Sequence, residues 1–139
     1  MLVDTPYNAI TKDIIGSAIE VHRALGPGLL ESVYTPCLQY ELSARSLRWR
    51  AQQPIPIIYK GIALDVSYRV DLIIEDCVVV EVKSVDNLSG VHDAQLLTYL
   101  RLTECPVGLL INFNVAKLMD GVRRLLNPRG KNAAFGAKQ

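Results

Sequence analysis

The chain predicts an α/β fold, a mixed sheet of four to five strands flanked by helices, and three patterns carry that expectation. Two early stretches repeat apolar residues at helical spacing. Between 53 and 83 the β-branched residues and the turn signals describe three antiparallel strands. A helical stretch over 91–102 then leads to the uniformly apolar run 107–113, the signature of a strand buried on both faces and reached by a crossover.

In chain order, Thr5-Pro6 offers a cap for a first turn, and Thr11 a cap for the main helix, since its oxygen can accept from free N–H groups. Ile10, Ile14, Ala18, Val21 and Leu25 share one helical face, and Gly26-Pro27-Gly28 ends the helix near Ala24. Glu20 and His22 fall in its last turns, where a partly solvated helix end accounts for them. A second helix spans about 30–45 through Val33, Tyr34, Cys37, Leu38 and Leu42. Glu31 lies in its first turn, where the helix dipole favours a carboxylate by about 0.3–1 kcal/mol. Pro36 removes one backbone bond, so the helix either bends there or restarts at Thr35-Pro36.

Pro54 and Pro56 oppose helix while Ile55, Ile57, Ile58 and Tyr59 favour strand, and proline points to a sheet edge. Lys60-Gly61 is a turn, and the chain from Ile62 leads into a second strand carrying Asp71. After Lys83 comes a polar loop, then the 91–102 helix with His92, Gln95 and Tyr99 on one stripe and Leu96, Leu97 and Leu100 on another. The stretch 115–126 fits a helix or a final strand. One domain over 1–127 and a flexible tail over 128–139 complete the division.

The informative stretch is 68–83, two β-branched runs around Glu75-Asp76. If the loop has two residues, Asp71 faces Val80 and Glu81 points away from it. If it has three, Glu75-Asp76-Cys77, then Asp71 faces Glu81 and Ile73 faces Val79. That second register puts Val70, Leu72, Ile74, Val78, Val80 and Val82 on one face and Arg69, Asp71, Glu81 and Lys83 on the other. The binary pattern selects it, because a slip by one residue would mix polar and apolar groups on both faces. Two carboxylates roughly 4 Å apart repel by about 1–4 kcal/mol at the dielectric of water or a protein surface. A divalent cation removes that cost, and magnesium prefers one or two carboxylates completed by water and phosphate oxygens. Lys83 then stands where it can steady or activate the attacking water.

The order Asp71, nine residues, then Glu81-Val82-Lys83 resembles the core of the PD-(D/E)XK nuclease superfamily. Gln95-Leu-Leu-Thr-Tyr99 resembles an element of its RecB-like exonuclease branch. Gly28-Leu-Leu-Glu31-Ser-Val-Tyr34 resembles the signature of the GxxExxY family within it. The resemblance spans about 11–127 and implies a restriction-endonuclease-like core. It implies Mg2+, with Mn2+ as substitute, held by Asp71, Glu81, Glu31 and the Val82 carbonyl. Lys83, Gln95 and Glu31 would be catalytic and Tyr99 would contact nucleic acid, with Glu20, His22 and Tyr34 as second-tier candidates.

Composition limits the alternatives. Half of the 139 residues are hydrophobic, but no run approaches the ~18 apolar residues of a membrane helix. Asp4, Lys12 and Asp13 interrupt any leader-like start, so the cytoplasm is the expected location. Cys37, Cys77 and Cys105 are scattered and read as buried free thiols. The net charge of +1 gives no general attraction for nucleic acid. The clusters Arg45, Arg48, Arg50 and Arg123-Arg124 read first as a solvated face. The expected reading is therefore a magnesium-dependent nuclease, acting on DNA in preference to RNA, with no membrane partner. A catalytically silent nucleic-acid-binding or protein-interaction subunit on the same fold is the alternative, and a plain structural protein follows if the loop has two residues. Small size fits a homo-oligomer or a subunit of a larger DNA-processing assembly. No Gly-rich phosphate loop and no serine or cysteine hydrolase pattern is present.

Overall fold

A computed structural model describes residues 7–130. The order is α1 (Asn8–Leu25), α2 (Glu31–Ala44), β1 (Trp49–Tyr59), β2 (Ile62–Ile74), β3 (Val78–Lys83), α3 (Gly90–Thr103), β4 (Val107–Asn112), a 3₁₀ turn (Leu118–Gly121) and β5 (Val122–Leu126). Among the described residues the strands form one sheet in the order β1-β2-β3-β4-β5, parallel between β3 and β4 and antiparallel elsewhere. This is the mixed α/β sheet flanked by helices that the sequence predicts, with β1 and its two prolines on the edge.

The sheet separates two cores. Ile14, Ala18, Val21, Tyr34, Leu38 and Leu42 of α1 and α2 pack on Leu72, Ile74, Val78, Val80, Val82, Leu109 and Ile111. On the other side Leu96, Tyr99 and Leu100 of α3 pack on Ile55, Val70, Ile73, Val79 and Leu110. Strand β4 is buried along its whole length because both cores claim it in alternation. Gly108 lets α3 lie close to the sheet: a Cβ there would come within 2.8 Å of the Leu96 side chain.

The β2–β3 register is that of a three-residue loop, with Ile74 opposite Val78, Ile73 opposite Val79 and Leu72 opposite Val80. Glu75 and Asp76 both take positive φ, 52° and 56°, and the Cys77 N–H donates to the Ile74 carbonyl at 3.1 Å. The turn is thus a two-residue type I′ turn with Cys77 as one extra, bulged residue, and that residue sets the register. Arg48 pairs with Glu75 at 3.2 Å and Arg50 pairs with Asp76, tying both turn residues to β1.

Three local expectations need correction. Helix α1 starts at Asn8, so Thr11 is no cap; it lies inside the helix, its hydroxyl donating to the Asn8 carbonyl at 3.1 Å. Val70 does not share a face with Leu72: it packs in the α3-side core, and Tyr68 lies 6.0 Å from the Tyr99 ring. Strand alternation therefore breaks at Asp71, which takes Arg69 off the face it was expected to share with Glu81. Arg45, Arg48 and Arg123 are exposed, as a solvated face requires, and the second cluster is also paired: Arg123 with Asp93 at 2.7 Å, while Arg124 donates to Asn8 Oδ1 at 2.6 Å. His92 caps α3 instead of joining a working stripe: its Nδ1 accepts from the Ser89 N–H at 3.0 Å. Two open questions also close. Helix α2 runs unbroken through Pro36, and 122–126 is a strand after a short 3₁₀ turn. The Thr5-Pro6 cap lies outside the described residues, as does the 131–139 part of the expected tail.

Candidate active site

The sheet forks at Asp71. Beyond Leu72–Val80 the β2–β3 ladder ends, and β2 continues outward with β1 as a two-stranded ribbon. The cause lies in two facing positions. Gln52, across from Asp71 on β1, takes a positive φ of 51°, and the β1–β2 pairing skips both residues. The Asp71 N–H donates to Glu81 Oε2 at 3.0 Å, and the Val82 N–H donates to Asp71 Oδ2 at 2.8 Å. The two carboxylates stand in for the missing ladder bonds and interlock in the opening.

Glu81 is only 5% exposed. Burial first, and the Asp71 charge second, push its carboxyl up to about 8. Asp71 is also raised, by burial above all, while the Val82 N–H, the Lys83 ammonium and a hydrogen bond from the Gln52 side chain pull the other way. Lys83 closes β3, and its charge favours the ionised form of both acids. The amine thus offsets part of the cost that burial and the closeness of the two acids impose on their charged forms.

Glu31 opens α2 and reaches the same region. Its carboxylate accepts from the Ser84 N–H at 3.3 Å, and its charge acts on both Asp71 and Glu81. Tyr34 aims it. Fully buried and stacked on Phe113 at 4.5 Å, Tyr34 donates its hydroxyl to the Gly26 carbonyl at 2.6 Å and accepts from the Leu29 N–H at 3.1 Å. The 26–29 turn is held between them, and Gly28 at φ 98° takes a conformation that side chains avoid. The Ser84 hydroxyl donates to the Leu29 carbonyl, pinning that turn over the end of β3.

On the α3 side, Tyr99 packs in the core with its phenol close enough to Glu81 and Asp71 for their charges to raise it, after burial itself. Gln95 is exposed one turn earlier. Tyr68, Val91, Ala94, Gln95, Thr98 and Tyr99 line a cleft of about 250 Å³. The structure thus gathers Asp71, Glu81, Lys83, Glu31 and the Val82 backbone, with Gln95 and Tyr99 along the adjoining cleft. It does not bring Glu20 or His22 there. Glu20 pairs with Arg23 at 3.6 Å on the surface, and His22 Nε2 binds the Val115 carbonyl at 2.8 Å, anchoring the chain before the 3₁₀ turn.

Gln52, Tyr68, Ser84 and Asn112 carry parts of the site that sequence reasoning passed over. Asn112 Oδ1 accepts from the Val85 N–H, and its Nδ2 donates to the Val85 carbonyl, both at 3.0 Å, which fixes the loop after Lys83. A lone amide closing an otherwise apolar strand was the available signal. The cysteines are free, and burial pushes the Cys77 and Cys105 thiols up to about 12 and about 11, which suits inert core groups.

Residues 8–125 match the family model described as the PD-(D/E)XK nuclease superfamily. No curated protein and no solved structure matches the chain. Nucleases of this superfamily generally use divalent metals. Among the described residues no three His, Cys, Asp or Glu side chains converge as a ready cage. The fork nevertheless suits such an ion: its donors are hard oxygens, and two carboxylates are enough for a magnesium-type ion that keeps several waters. No described helix is long and apolar enough to cross a membrane.

Proposed function

The chain belongs to the PD-(D/E)XK nuclease superfamily, and on that premise we propose that it is a magnesium-dependent nuclease that hydrolyses phosphodiester bonds of nucleic acid, DNA in preference to RNA. The observation that carries this reading is the interlocked Asp71–Glu81 pair in the sheet fork, with Glu81 buried and Lys83 beside it. The motif residues Gly28, Glu31 and Tyr34 support a place in the GxxExxY group, and Gln95 with Tyr99 supports the RecB-like branch.

Asp71, Glu81 and the Val82 carbonyl would hold the ion, and Glu31 would complete the acidic set. When bound, magnesium, or manganese in its place, polarises the phosphoryl oxygens and stabilises the charge they gain as water attacks in line. Lys83 holds and activates the attacking water and Gln95 orients it. Tyr99 contacts the nucleic-acid backbone. Tyr34, Ser84 and Asn112 position the two loops that frame the site without touching substrate.

A panel of end-labelled oligonucleotides, single and double stranded, DNA and RNA, tests this with and without manganese. Metal-dependent cleavage of at least one DNA by wild type, absent from Lys83→Ala, is the expected result. Equal cleavage by the two proteins, or none by wild type on any substrate, refutes it.

A further inference from the structure

Beyond the fork, β1 and β2 project as a ribbon joined by the Lys60-Gly61 turn, both residues at positive φ as a type I′ hairpin requires. Isolated two-stranded hairpins are at best marginally stable in water. This one is lopsided. On β2, Ile62, Leu64, Val66 and Tyr68 fall at every second position and so share one face, and Tyr59 opposite Ile62 joins them. These five side chains are 41–63% exposed. The alternate positions, Ala63, Asp65, Ser67 and Arg69, are small or polar and form the other face, with Ile58 opposite Ala63.

We propose that this apolar face is the dimerisation surface of the protein, packing against the same face of a second copy. Three features choose that occupant. The face carries no acid and no arginine. Its one ammonium, Lys60, sits at the tip, 5.4 Å from the centre of the Tyr59 ring, so two copies meet without repulsion along the middle, whereas a phosphate backbone finds no line of cations there. Strand addition along the β1 edge of the ribbon is obstructed, because Pro54 and Pro56 have no N–H to donate, so a second copy meets the apolar face and not that edge. Five half-exposed large side chains present on the order of 500 Å², in the upper part of the range that monomers leave open as one patch. Two such faces meeting remove about 1,000 Å², the lower bound of a specific interface. The face starts at Tyr68, on the rim of the Gln95–Tyr99 cleft, so the dimer axis lies on the cleft side of each fork.

Sedimentation velocity and light scattering on the full chain test the surface without any reference to catalysis. Wild type is expected to sediment as a dimer at micromolar concentrations. Val66→Lys, which places an unpaired ammonium twice in the interface, is expected to weaken the dimer by about a hundredfold or more. Ser67→Lys, one residue along and on the opposite face, is expected to leave it intact. Ile62→Lys repeats the first test should Val66→Lys not fold. A monomeric wild type overturns the proposal and leaves the face to a different protein. Equal behaviour of Val66→Lys and Ser67→Lys overturns it as well. Because the readout is mass, failure here leaves the nuclease reading standing, and a protein that cuts nothing leaves the dimer standing.

Discussion

The buried acid pair predicts an unusual dependence of stability on pH. In the metal-free protein the Glu81 carboxyl is raised from its ordinary 4.5 to about 8, chiefly by burial and then by Asp71. The unfolded chain therefore gives up this proton first, and between pH 4.5 and 8 it binds fewer protons than the native state. Stability must then fall as pH rises through that window and level off above it. At about 1.4 kcal/mol per unit the full effect is on the order of 5 kcal/mol, of which about 3 kcal/mol falls between pH 5.5 and 8. For a domain of this size that lowers the melting temperature by about 10 °C. Thermal melts in chelator, followed by circular dichroism at intervals across the window, read it directly. Glu81→Gln removes the ionisation and should flatten the curve while raising the melting temperature at pH 8. Magnesium or manganese should recover most of the loss in wild type at pH 8 and little in Glu81→Gln. A flat wild-type profile, or an equal slope in the variant, refutes the reasoning that burial holds Glu81 protonated in the metal-free fork.

Three further outcomes follow from the same contacts. Lys83→Ala should abolish metal-dependent cleavage while shifting the melting temperature by no more than about 2 °C, since Lys83 is only partly buried, at a strand end; a large loss of stability would make it a structural residue. Tyr34→Phe keeps the stack on Phe113 but strands the Gly26 carbonyl and the Leu29 N–H, so denaturant unfolding should register a loss of about 1–3 kcal/mol, and cleavage should fall further as Glu31 loses its aim. Gly121→Ala would set a Cβ 2.1 Å from the Asn112 carbonyl oxygen, so the 3₁₀ turn must move off β4. A destabilisation above about 3 kcal/mol is expected, and a melt within a degree of wild type would mean that the turn relaxes freely.

How much of this was legible in the chain varies by element, for physical reasons. The β2–β3 register was readable because a slip exposes a whole strand face, and only one loop length keeps Leu72, Ile74, Val78, Val80 and Val82 together. The burial of β4 on both sides was equally plain from its unbroken apolar run. The switch of faces at Asp71 was not, because it depends on a glutamine at positive φ on a neighbouring strand and on two carboxylates replacing backbone bonds. No local preference encodes either. The pairing of Arg48, Arg50, Arg123 and Arg124 was hidden likewise, since their partners lie 26 to 116 positions away. His92 could have been read as a cap from its place three residues after Ser89, but its spacing to Gln95 and Tyr99 suggested a shared stripe instead. Tyr34 was visible as part of a motif, while its work as a clamp needed the turn at Gly26 to be seen folded back on it.

The central claim is that Asp71 and Glu81 together grip one divalent ion. Calorimetric titration of manganese into the metal-free protein at pH 7.5, for wild type and Asp71→Asn, tests it most directly. The account predicts one ion bound per chain with release of a proton from Glu81, and affinity at least about tenfold weaker in Asp71→Asn. Equal affinity in the two proteins, or no binding by wild type, would contradict it.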